Sequence, residues 1–477
     1  MADVAAASSS GAGLKPGLSL FDSAAIVAGS MIGSGIFIVS ADIVRQVGSP
    51  AGLLAVWMLS GLMTVVGALA YGELAAMMPQ AGGQYVFIRE AYGGVWAFAF
   101  GWTLLLVIQT GTIAAVAVAF ARFAGVLWPA IGSRLWCGWG TAGLSGERLL
   151  AIAVIVLLTA LNLRGLDAGR MVQNVFTVGK VAALIGIIAV GCVIAPDRAA
   201  IHANFGGAAQ FFGTRPLSPG LLAAFGAAMV GGLFSADAWA GITFAAPEVR
   251  DPARNLPRAL ALGTAAVIAL YLLTNLAYLC GLPAVGNSGA AGVFARGISG
   301  AENDRVASAA MRMVWGPTGA AVTAVLVMVS TFGCVNGLIL TGARVIFAMA
   351  HDGVFFAASG RLNRAAVPAV ALVIQGGWAA LLALSGTYSE LLDYVIFAQL
   401  LFYALTVGAV FVLRARRPDA PRPYRAWGYP LAPAAYIAAA AALMADLLIV
   451  KPAYTWPGLA IALSGVPVYW WRTRARR

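Results

Sequence analysis

Gly29-Ser-Met-Ile-Gly-Ser-Gly-Ile-Phe37 lies inside the first long apolar stretch of the chain, residues 19–45. Val230-Gly-Gly-Leu-Phe-Ser-Ala-Asp-Ala-Trp239 lies inside the sixth, residues 219–246. Each glycine costs a helix interior about 1 kcal/mol relative to alanine. Both stretches therefore spend stability on breaking regular helix where a simple span would conserve it. They are five helices apart, an odd number, so they run in opposite directions. Glycine-interrupted helices in corresponding positions of two inverted halves point to a solute site near the bilayer midplane.

The rest of the composition agrees with a lipid solvent. The 477 residues are 61% hydrophobic and only 10% charged, against roughly 25% charged in a soluble domain. The 57 glycines suit close helix approach where no hydrophobic effect drives helices together. Spans of about 20 apolar residues are expected at 19–45, 52–79, 93–129, 147–163, 170–194, 219–246, 257–284, 318–350, 367–385, 388–414, 430–450 and 454–471. These are helices 1 to 12. Residues 1–18 are expected to be disordered. Gln80 to Glu90 is too polar to span and should lie at the interface or re-enter.

Net charge is +12, but the cations sit in short loops, so headgroups and topology explain them and nucleic acid does not. With the N-terminus inside, inner loops hold Arg164, Arg170, Arg250, Arg254, Arg258, Arg361, Arg364, the run Arg414 to Arg425 and the tail Arg472 to Arg477. Outer loops hold about half as many, including Arg45, Arg134, Arg198, Arg215 and Lys451. Both termini are thus expected in the cytoplasm.

If helix 1 unwinds at Gly33-Ser34-Gly35, the following half-helix begins near Ile36 with unpaired amides and a positive dipole end. That suits a carboxylate. Carbonyls freed around Ala28 to Met31 suit an ammonium. The alternative is a small-residue packing stripe. At the second break, carbonyls of Phe234, Ser235 and Asp237 would face the same cavity, and Phe234 would close over it as a gate or pack as an ordinary aromatic. Asp237 is too deep for a casual surface charge, and an intramembrane acid is a functional candidate by default.

Lys180 sits about 15 Å along helix 5 from Arg170, near the middle of a ~30 Å core. Its stem is too short to snorkel out, and insertion costs about 2.5–3.5 kcal/mol. The unwound carbonyls of helix 1 near Gly29 are the expected compensation; an ion pair with Asp237 is the alternative. Asn336 should bond across helices or line the cavity, as should Trp239. Glu73, Arg89 and Glu90 should pair at the inner face, and Arg344 should be interfacial.

Cys137, Cys192, Cys280 and Cys334 show no metal spacing. His202 and His351 are far apart, and no metal or cofactor is expected. No GxxxxGK[ST], HExxH or GxSxG occurs, so neither an ATP-driven pump nor an enzyme is expected.

These residues resemble the amino acid–polyamine–organocation superfamily and, within it, the L-type amino acid transporter family. The resemblance rests on Gly29 to Phe37, Tyr71 to Glu90, Val172 to Lys180, Pro247 to Arg258, Asn336 to Arg344, and Arg417 to Pro430. It implies an all-α integral membrane protein with a five-plus-five inverted repeat, helices 1–5 (19–194) matching helices 6–10 (219–414), plus two helices (430–471) and a tail (472–477). It implies sodium-independent transport, often exchange. The substrate site would run through Met31, Ile32, Gly33, Ser34, Gly35, Phe234, Ser235 and Asp237. The carboxylate would meet amides at Ser34 and Gly35, and the amino group carbonyls at Met31, Phe234 and Asp237. Phe234 falls at the aromatic gate, and Lys180 with Gly29 replaces a sodium site. Ala240-Gly241 departs from the larger polar residue of several relatives. Some relatives bond a single-span glycoprotein through a cysteine in the loop where Cys137 lies; with this alanine- and arginine-rich bacterial composition, no such partner is expected.

The leading expectation is an exchanger or uniporter for small neutral L-amino acids in the inner (plasma) membrane. The alternatives are a proton- or exchange-coupled carrier of cationic amino acids or polyamines, and a channel or transport-inactive scaffold.

Overall fold

A computed structural model describes residues 16–139, 142–216, 218–385 and 388–474. The expected N-terminal disorder lies largely outside these residues, as do the last three residues of the tail and the side chain of Arg170. Each of the twelve expected apolar segments is helical. Eight helices among the described residues are long and apolar enough to cross a membrane, and Pro219–Ser235 and Ala369–Ser385 are shorter apolar helices. Large apolar side chains such as Val193, Leu431 and Ile449 point outwards, each more than two-thirds exposed. That surface suits a bilayer core rather than water.

Helix 1 is interrupted as the glycines require. Leu20–Met31 opens with a capping box in which Ser19 and Asp22 bond reciprocally, satisfying two otherwise orphaned donors. The chain leaves the helix at Ile32 (ψ 84°) and resumes as Gly35–Ile38 and Ser40–Val47. Helix 6 runs Pro219–Ser235, turns through Ala238 at φ 69° and resumes as Gly241–Phe244.

Small residues set the packing. Helix 2 (Pro50–Met77) lies along helix 7 (Pro252–Gly281). At their contact an added Cβ on Gly61 would fall 2.3 Å from Ile268, so no larger residue fits without separating the two helices. Helix 3 (Gly94–Leu127) is the most enclosed and helix 11 (Leu431–Val450) the most peripheral of the long spans. Helix 8 packs on helices 3 and 5 and touches helix 1 at its break.

Several boundaries differ from the sequence reading. Gln84–Tyr92 is a helix whose first five residues are buried, so the polar linker packs into the protein. Helix 8 is preceded by a short helix from Val306, from which it is divided by non-helical Trp315 and Gly316 (φ 59°) ahead of Pro317, so its start falls where the sequence places it. The stretch 195–218, read as loop, contains the helices Arg198–Phe205 and Ala208–Phe212. Helix 5 begins at Leu166 and ends in a π-turn, Val190–Ile194.

Candidate substrate site

The two helix breaks meet. An added Cβ on Gly35 would lie 2.0 Å from Ser235 Oγ and 2.9 Å from its Cα, so only glycine lets the second half of helix 1 lie against helix 6. Gly35 and Ile36 open that half-helix, where no preceding turn offers an intrahelical acceptor. Met31, Ile32, Ser34, Phe234, Ser235 and Asp237 are all buried. The assembled site is closed on itself.

Lys180 reaches this point fully buried. Its Nζ donates to the carbonyls of Gly29 (2.6 Å) and Ile32 (3.0 Å). The alternative pairing with Asp237 is not what the geometry gives: Asp237 Oδ1 accepts from the Tyr403 hydroxyl at 2.6 Å. Desolvating the ammonium is offset by peptide oxygens that the break has released, which is how a buried charge is tolerated.

The remaining carbonyls of the break are also engaged. Ala28 accepts from the Ile32 amide, Ser30 from the Cys334 thiol (3.2 Å), and the Ser330 hydroxyl lies 3.1 Å from the Ile32 carbonyl and 3.4 Å from that of Gly33. The hydroxyl of Tyr271, on helix 7, lies 2.9 Å from the Met31 carbonyl and 3.1 Å from that of Ser235. One hydroxyl hydrogen is thus shared between the two breaks. The expectation of free carbonyls from Ala28 to Met31 is corrected: protein donors already reach each of them. A carbonyl has two lone pairs, so those with one donor can still accept a second bond.

Trp239 is buried in an aromatic cluster, stacked on Tyr403 (centroids 5.0 Å) and edge-on to Tyr71 (4.7 Å). Asn336 Oδ1 accepts from Asn162 Nδ2 at 2.8 Å, linking helix 8 to helix 4, so of its two expected roles the structure shows the interhelical bond. Tyr271, Tyr403, Ser330 and Cys334 were not singled out from the sequence. Each comes from a distant helix, and no local pattern announces which hydroxyl meets which carbonyl.

At the helix ends on the N-terminal side of the protein, ion pairs tie the segments together. Arg344, expected at the interface, is instead buried and bonded to Glu248 Oε1 (Nε 2.9 Å). The Glu248 carbonyl accepts from the amides of Gly17 and Leu18, so the N-terminal strand, the end of helix 6 and helix 8 converge on one residue. Glu73 is bonded in two places by Arg414, Arg89 pairs with Asp352 and Arg417 with Glu90, as the inner-face reading anticipates. Gly83, at φ 43°, would place a Cβ 2.3 Å from Thr243 Oγ1, so glycine lets this segment lie against the second half of helix 6.

With this geometry in view, the amino acid permease profile matches residues 18–469. The mouse Large neutral amino acids transporter small subunit 2 is 32% identical, over 98% of this chain and 83% of its own. The mouse Asc-type amino acid transporter 1 is 30% identical over 97% and 83%. The Serine/threonine exchanger SteT of Bacillus subtilis is 29% identical over 96% and 97%. All three carry the names of transporters or exchangers, and the match runs through both helix breaks and the helices that grip them. This multi-pass membrane protein belongs to the amino acid permease family, within the superfamily its motifs resemble.

Proposed function

We propose that this chain is a sodium-independent exchanger of small neutral L-amino acids. It works by alternating access in a twelve-span, five-plus-five inverted-repeat fold (19–194 against 219–414, with 430–471 added). It sits in the cell membrane, the inner membrane of a bacterium, with both termini cytoplasmic. The observation that carries the reading is the buried Lys180 ammonium bonded to Gly29 and Ile32 beside two opposed, touching breaks. A fixed ammonium supplies the cation at the break, so no dissolved cation has to bind there.

The substrate carboxylate meets the positive end of the half-helix at Ser34 and Gly35. Its amino group meets the Met31 and Phe234 carbonyls by displacing donors they hold in this state, the Gly33 amide or Tyr271 hydroxyl at Met31 and the Asp237 amide at Phe234, with Ile32, Gly33 and Ser235 shaping the floor and the Phe234 ring closing above. Neutral substrates are favoured over cationic ones because Asp237 is engaged by Tyr403 and walled by aromatics, rather than presented as a free counter-charge. The names of the relatives, which specify neutral amino acids, serine and threonine, agree. A competition panel in proteoliposomes tests this. Alanine and serine should inhibit labelled alanine uptake and arginine should not; strong inhibition by arginine would overturn the neutral reading.

A further inference from the structure

Cys192 and Cys280, far apart in sequence, have neighbouring thiols. Cys192 lies in the π-turn that ends helix 5, and Cys280 in the last turn of helix 7. The backbones are close here: an added Cβ on Gly191 would fall 2.8 Å from the Ala277 carbonyl oxygen and 2.9 Å from its Cβ. The Cys280 carbonyl accepts from the Asp197 amide (2.9 Å). Asp197 caps the helix Arg198–Phe205, so the pair sits where the chain leaves the apolar spans for polar loop. Neither thiol-bearing residue is fully buried. Neighbouring thiols on backbones this close meet the first requirement of a disulfide, that the two chains approach closely.

We propose that Cys192 and Cys280 are a redox pair whose disulfide clamps the end of helix 5 to the end of helix 7 and halts exchange. The oxidant is another disulfide, small or protein-borne. One thiolate attacks it to give a mixed disulfide, and the second thiolate displaces the departing thiol. Two protons leave the cysteines, and two electrons reduce the oxidant to its two thiols.

The clamp acts on the substrate site through the helices it joins. Lys180 lies about 18 Å back along helix 5 from Cys192, and Tyr271 about 13.5 Å back along helix 7 from Cys280, at 1.5 Å per residue. These two side chains hold the break of helix 1 from opposite helices. A π-turn is a local departure from helix that recurs at functional sites. Fixing it to helix 7 removes the relative motion of the two grips.

The test uses the full chain carrying Cys137→Ser, which removes the exposed thiol, in proteoliposomes treated with oxidised glutathione. Peptide mapping should find a Cys192–Cys280 bridge, and exchange should be lost and return with dithiothreitol. Cys192→Ser and Cys280→Ser, each in that background, should keep exchanging through the same treatment. The proposal fails if both thiols remain open to alkylation after oxidation, or if the bridge forms while exchange continues.

Discussion

Lys180 Nζ lies 2.6 Å from the carbonyl oxygen of Gly29, joining the middle of helix 5 to the last turn before helix 1 unwinds. The ammonium donates to the carbonyls of Gly29 and Ile32, and Ile32 also faces the Ser330 hydroxyl at 3.1 Å. Lys180→Ala leaves the buried Gly29 carbonyl without that donor, at about 1–3 kcal/mol for an unsatisfied group. The variant should insert and fold with a lowered Tm and lose most exchange. Full exchange by correctly inserted Lys180→Ala, measured in proteoliposomes, would remove the lysine from the mechanism.

Gly35→Ala tests whether the breaks must touch. The new Cβ meets Ser235 at side chain and backbone, so helix 1 or helix 6 has to shift. Overpacking of this kind costs about 1–3 kcal/mol. Exchange should fall far more than thermal stability, because the displaced group is the substrate's own cradle. Retention of wild-type KM and rate would show that the contact is incidental.

Tyr271→Phe removes the hydroxyl shared by Met31 and Ser235. One net hydrogen bond is worth about 0.5–1.5 kcal/mol, so the Tm should move little. Exchange should drop because the two breaks lose their common tie. A fall in Tm without loss of exchange would assign the hydroxyl to structure alone.

Arg344→Ala strands a buried Glu248, and breaking a buried pair costs about 3–5 kcal/mol. Glu248→Ala should cost similarly, and the double variant should cost less than the two losses combined. Additive losses in detergent melts would mean the two residues act independently. If the pair also holds the inner gate shut, each single variant should become more reactive towards a membrane-impermeant thiol reagent at a cysteine placed at Leu340 and presented from the inner side.

The broken helices were legible because glycine is costly in a span and aspartate more so; Gly29, Gly33, Gly35 and Asp237 announce themselves by composition alone. The partner of Lys180 was legible from depth: a lysine mid-helix cannot reach water, so something nearby must accept its protons. Tyr271 and Tyr403 were not legible, since a tyrosine in an apolar helix carries no sign of where its hydroxyl points. Arg344 was misread for a related reason. Distance from the helix end suggested the interface, but burial depends on what the loop before helix 7 places beneath it, and that is Glu248. The short helix ahead of helix 8, divided from it at Trp315 and Gly316, was not legible, since it is too short to span and carries no periodic signal of its own.

The central claim is that two opposed, unwound helices grip an amino acid with a lysine standing where a dissolved cation would otherwise be needed. Uptake of labelled alanine into proteoliposomes, preloaded with unlabelled alanine or empty and held entirely in choline salts, tests it most directly. The account predicts strong acceleration by the internal load at a rate that added Na⁺ leaves unchanged. Uptake that requires Na⁺, or that ignores the internal amino acid, would contradict it.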